Sequence, residues 1–139
     1  MKELVIETGL VSYTLNGGGV LTFNPTDSAF VERLYSTFSA LDQKQEEYKA
    51  EVENAREGEI FAVARRRDEE MRRMIDQVLG EGVAADVFGG MNVYALAGGL
   101  PVWANLLLAV MDEIDDSFAR EQKAMNPRLD KYLKKYKRK

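Results

Sequence analysis

The chain has 139 residues, 45% of them hydrophobic, with 23 acidic and 19 basic side chains and neither cysteine nor histidine. That length suits one domain with a real core, and the composition excludes disulfides, zinc ligation by Cys or His, thiol nucleophiles and imidazole acid–base catalysis. Charge is divided unevenly: residues 1–119 hold 10 basic against 21 acidic side chains, whereas residues 120–139 hold 9 against 2.

The opening "MKELVIETGL" has a single lysine and acids on both sides of a short apolar stretch, so it is not a signal peptide and an intracellular protein is expected. In "LVIET" and "LVSYTLN" β-branched and aromatic residues alternate with others, and "NGGG" separates the second run from "VLTF". The pattern predicts a small antiparallel meander of three strands over about residues 3–23. Gly17, Gly18 and Gly19 lead into a strand and not a helix, which favours a hairpin turn over a phosphate-binding loop.

"FNPTD" changes the periodicity. Asn24 suits an N-cap, Pro25 the first helical position and Asp27 the positive end of the helix dipole. Phe30, Leu34, Phe38, Leu41, Tyr48 and Val52 then form an amphipathic stripe close to a 3.5-residue repeat. A helix from Asn24 to about Arg56 would reach ~48 Å. Gly58 is the expected stop, and a second helix is expected over 59–79 with Ile60, Ala64, Met71, Met74, Ile75 and Val78 on its apolar face. The two helices should form an antiparallel hairpin, with one continuous rod through Gly58 as the competing arrangement. The arginines at 65, 66, 67, 72 and 73 alternate with acids, which reads as a self-neutralising solvated face and not a nucleic-acid surface.

Between Leu79 and Trp103 lie six of the eleven glycines. Short helices are expected at 83–88 and 92–97. Pro101 should start a further helix that is apolar all round from Val102 to Met111, twelve residues from Leu100 being too few for the ~20 of a membrane span. Asp112, Glu113, Asp115 and Asp116 follow without calcium-loop spacing, so a solvated acidic face is expected there. Six methionines suit core filling first and an adaptable binding surface second. Asn126 and Pro127 open a basic amphipathic tail over 126–139, in which Leu129, Tyr132, Leu133 and Tyr136 fall at helical spacing among lysines. The fold class expected is mainly α: a helical bundle with a long helical hairpin and a small N-terminal β meander, a single domain over 1–125 followed by the tail.

"FNPTDSAFVERLY", "ADVFGGMNVYALAGGLPVWANLLLAVMDEID" and "NPRLDKYLKKY" resemble a family of tail assembly chaperones encoded by siphophages and prophages of Gram-positive bacteria. The resemblance spans nearly the whole chain. It implies a largely helical protein of the host cytoplasm that binds and solubilises the tape-measure protein, brings tail-tube protein to it, and is absent from the mature virion. It also implies that a longer, frameshifted product can exist, with "KKYKRK" over the shift site. No enzyme activity, cofactor, metal or membrane association is expected, and nucleic acid is disfavoured as a partner. The competing classes are a structural tail completion or connector component and a nucleic-acid-binding module using the basic tail. Partner-binding candidates are Phe38, Leu41, Tyr48 and Val52 on the long stripe, Trp103, and Leu129, Tyr132, Lys135 and Tyr136 in the tail. Because the stripe outruns helix 59–79, part of it is expected to lie against a second subunit in a homo-oligomer.

Overall fold

The computed structural model describes residues 1–123, so the expectations for Leu129, Tyr132, Lys135 and Tyr136 lie outside the described residues. Strands β1 (Val11–Leu15) and β2 (Gly19–Phe23) pair antiparallel, with Val11 opposite Phe23 and Leu15 opposite Gly19. Their turn is closed by the Gly18 amide donating to the Leu15 carbonyl at 3.0 Å. Asn16 (φ 50°) and Gly17 (φ 73°) sit in the left-handed region there, as a tight hairpin turn requires. The expected first strand is absent: "LVIET" pairs with no strand among the described residues and is exposed throughout. Its alternation signals strand propensity, but a strand also needs a partner edge, which propensity does not supply.

Helix α1 spans Ser28–Asn54, and Asp27, not Asn24, is its N-cap: the Asp27 carboxylate accepts from the Ala29 amide at 3.0 Å. Asn24 instead closes a local turn, its Oδ1 accepting from the amide and hydroxyl of Thr26 at 2.8 Å each. Both residues have the side chain an N-cap needs, and the Asx turn at Asn24 delays the helix by one turn. The helix ends before Gly58, because Ala55 (ψ 149°) and Arg56 (ψ 148°) are already extended and a single 3-10 turn, Glu57–Glu59, leads into α2 (Ile60–Leu79). At 27 residues α1 is ~40 Å long, about one turn shorter at its N-terminal end and two residues shorter at its C-terminal end than the periodicity implied.

The break turns the chain back, so α1 and α2 form the hairpin and not a rod. Salt links tie the two helices: Glu51 to Arg66 and, at 3.3 Å, to Arg67, and Lys44 to Glu70 at 2.6 Å. Within the arginine block Arg66 and Arg67 therefore pair across the hairpin, while Arg72 pairs with Asp68 (3.0 Å) within α2.

Helix α3 (Val83–Phe88) forms as expected, but 92–97 is not helical. Asn92 directs a second Asx turn, accepting from the Tyr94 amide at 2.9 Å, and Asp68 accepts from the Val93 amide at 2.7 Å. The residues after it make a minimal hairpin, β3 (Leu96–Ala97) against β4 (Leu100–Pro101), turning through Gly98 and Gly99 at φ 62° and 83°. Helix α4 (Val102–Lys123) begins one residue after Pro101.

The core lies where α4 crosses the hairpin. Leu34, Leu41, Met71, Ile75, Val93 and Leu107 are fully buried, joined by Trp103 and Ile114. The long stripe of α1 is covered by the chain itself: Phe30 stacks on Phe23 of β2 (centroids 4.7 Å apart), Phe38 meets Trp103 (5.5 Å) and Tyr48 stacks on Tyr94 (3.9 Å). Counting helix 59–79 as the only cover of the stripe left out β2, α4 and the loop at Val93–Tyr94. The fold is mainly α with a small N-terminal β hairpin.

Candidate protein-binding site

Of the candidate partner-binding residues, Leu41 and Trp103 are buried in the core and have no surface to offer. The Trp103 indole Nε1 donates to Gln45 Oε1 at 2.9 Å, which satisfies its one polar group internally. Phe38, Tyr48 and Val52, all on α1, are half-buried. The structure brings Phe38 and Trp103 together and Tyr48 to Tyr94, as packing partners within one chain.

The exposed apolar surface lies elsewhere. Helix α4 is not buried on every side: Ala109 is exposed, and Asn105 and Glu113, one turn to either side, are partly so. Spaced four residues apart, these three mark a flank of α4 that faces a groove. Its other wall is the β hairpin and its end is α3. At the α3 end the groove is a hollow of about 450 Å³ lined by Leu15, Phe88, Met91, Val102, Leu106 and Ala109. It continues along α4 between Tyr13 and Leu15 on one side and Leu106, Ala109 and Glu113 on the other.

Its polar end is organised. The Tyr13 hydroxyl donates to Glu113 at 3.2 Å, and Arg120 donates to the same Glu113 oxygen (3.1 Å) and to the buried Ser117 hydroxyl (2.9 Å). Burial, and then the Glu113 carboxylate, raise the Tyr13 phenol above its ordinary range, so it remains a donor. At the apolar end Met91 is 52% exposed, while Met71 and Met111 are core residues and Met74 is half-buried. The methionines thus divide between core and surface. The neighbouring β3–β4 turn exposes Leu96 (74%) and Leu100 (41%).

Among the described residues no cluster of three acidic side chains is placed to hold a metal ion, and no helix is long and apolar enough to cross a membrane. The groove offers shape, apolar area and a charged end, which is chemistry for holding a polypeptide. Sequence reasoning missed it because the apolar run of α4 looks uniform, although Asn105, Ala109 and Glu113 at i, i+4 and i+8 carry the signal. A family model, described as "Family of unknown function (DUF6673)", matches residues 17–139. The chain belongs to this family. No curated protein and no solved structure matches it. The family match takes in β2, helices α1 to α4 and, of the groove, its α4 wall and its α3 end, leaving β1 and the residues before it outside.

Proposed function

We propose that this DUF6673 chain is a tail assembly chaperone that binds and solubilises a phage tape-measure protein and helps recruit tail-tube subunits, acting by protein–protein binding alone in the host cytoplasm. The observation that carries the proposal is the open apolar groove along α4, lined by Leu15, Phe88, Met91, Leu106 and Ala109 on an otherwise acidic body. A tape-measure protein is a long helical chain whose apolar faces are uncovered before the tail tube closes round it. A chaperone for it needs an apolar groove that accepts helices and enough net charge to keep the complex dispersed. The resemblance of "FNPTDSAFVERLY" and "ADVFGGMNVYALAGGLPVWANLLLAVMDEID" to such chaperones supports the same role.

Co-expression with the tape-measure protein of the same genome tests this. The expected result is a soluble tape-measure protein that co-purifies with this chain, and loss of both properties in Ala109→Glu. A tape-measure protein that stays insoluble beside abundant folded chain counts against the role. Recovery of the polypeptide from purified mature particles favours a structural tail component instead.

A further inference from the structure

Between β1 and the second half of α4 lies a hollow of about 880 Å³, walled by Val11 and Tyr13 on one side and by Glu113, Ser117, Arg120 and Glu121 on the other. Glu7, Thr8 and Gly9 line it as well, held in place by Asn24 Nδ2 donating to the Thr8 carbonyl and the Gly9 amide donating to the Glu7 carboxylate, each at 2.8 Å. The N-terminal arm thus borders the hollow and leaves it open. Its α4 side is acidic: residues 112–121 hold five acids against Arg120 alone, and Asp112, Asp115 and Asp116 are exposed.

Helix α4 is followed by sixteen residues, 124–139, with seven basic side chains and one acidic. Asn126–Pro127 predicts a break there, since proline has no amide to donate back along a helix and disfavours helical backbone at the residue before it. Beyond the break Leu129, Tyr132, Leu133 and Tyr136 share one face at helical spacing. The three residues 124–126 are a usual length for the connection of a helical hairpin. A helix of residues 127–139 spans ~20 Å, enough to return from Lys123 past Glu113. The family match runs through residue 139, so this segment belongs with α4 to the matched unit.

We infer that residues 127–139 fold back on their own chain as an antiparallel helix along α4 and fill the hollow. Counted back from Lys123, Leu129 comes to the level of Glu121, Tyr132 and Leu133 to that of Ser117, and Tyr136 to that of Glu113, so the apolar face of the segment follows the wall of the hollow. Lys135 falls between Asp112 and Asp116, which stand one turn apart on α4. A basic helix of this length is marginal alone and needs a surface to order it. The short connection holds it at high effective concentration beside a surface of opposite charge, which favours its own chain over a second copy or a nucleic acid. Tyr136 then stands where the hollow meets the apolar groove, because Tyr13 and Glu113 border both.

The chain has no cysteine, so a pair of introduced thiols reports on one contact. In full-length Glu113→Cys/Tyr136→Cys, mild oxidation is expected to close a disulfide within single chains. Asp115→Cys/Tyr136→Cys should close at least tenfold more slowly, since Asp115 lies on the far side of α4 from the hollow. Adding Lys135→Glu/Lys139→Glu to the first pair should slow closure at least tenfold, and adding Asp112→Lys/Asp116→Lys to that chain should restore it. Equal closure of the two cysteine pairs, or indifference to the charge changes, would overturn the inference, and disulfides formed between chains in place of internal ones would assign the hollow to a second copy. The unmodified chain gives an independent measurement: amides of residues 129–136 should exchange with solvent at least tenfold more slowly than in the free peptide 126–139, and equal rates would overturn the docking. None of these measurements involves the tape-measure protein, so failure here and failure of the chaperone role are separable.

Discussion

The indole of Trp103 and the amide of Gln45 meet across the centre of the molecule, Nε1 donating to Oε1 at 2.9 Å while the ring packs against Phe38. This contact pins α4 to the middle of α1. Trp103→Ala is expected to destabilise the fold by ~3–5 kcal/mol, the usual cost of emptying a large aromatic site. Gln45→Leu should cost ~1–3 kcal/mol, because the indole N–H is then buried without a partner. Urea denaturation of both variants measures this, and a Trp103→Ala loss under 1 kcal/mol would remove the residue from the core.

Tyr94 is 7% exposed, and its hydroxyl has no hydrogen-bond partner among the described residues. Burial raises its pKa. Removing the hydroxyl while keeping the ring preserves the 3.9 Å stack on Tyr48 and takes away an unpaired polar group. Tyr94→Phe should therefore be stabilising by ~1 kcal/mol, and Tyr94→Ala strongly destabilising. A lower melting temperature for Tyr94→Phe would show that the hydroxyl is satisfied in solution.

The cross-hairpin pairs make a prediction about acid. Hydrogen bonding to Arg67 lowers the pKa of Glu51 below 4.5, and hydrogen bonding to Lys44 does the same for Glu70. A carboxylate depressed in the folded state contributes stability above its unfolded pKa and loses it as pH falls through the folded value. Stability should thus be flat near neutrality and decline below about pH 4.5. Glu51→Gln with Glu70→Gln should flatten the acid limb of a melting-temperature profile while changing the midpoint near pH 7 only slightly, since ion pairs near the surface contribute little.

Ala109 sits in the groove wall without contributing to the buried core. Ala109→Glu is expected to leave melting within about 0.5 kcal/mol of wild type, as for surface substitutions generally. The same change should weaken tape-measure capture at least tenfold by placing an unpaired charge in an apolar contact, which calorimetry or a pull-down with purified partner measures. Unchanged capture would move the binding surface away from α4.

Local chemistry by itself determined the mainly helical class, the hairpin turn at Asn16–Gly17, α2 and α3, and the core positions of Phe30, Leu34, Leu41, Met71 and Ile75. Each depends on periodicity or on a turn residue acting within a few positions. Helix ends were less legible, because Asn24 and Asp27 are equally good caps and only the turn that Asn24 makes with Thr26 decides between them. Tertiary structure alone decided what the apolar surfaces are for. The α1 stripe is packed by β2, α4 and Tyr94, of which α4 and Tyr94 are distant in sequence. "LVIET" has strand chemistry but pairs with no strand among the described residues, because pairing depends on where a partner lies and not on the residues that seek one. The groove arises where a β hairpin and α4, about ninety residues apart, fail to close completely over Ala109, and a gap between distant elements leaves no mark in either one's sequence pattern beyond a small residue at the right spacing.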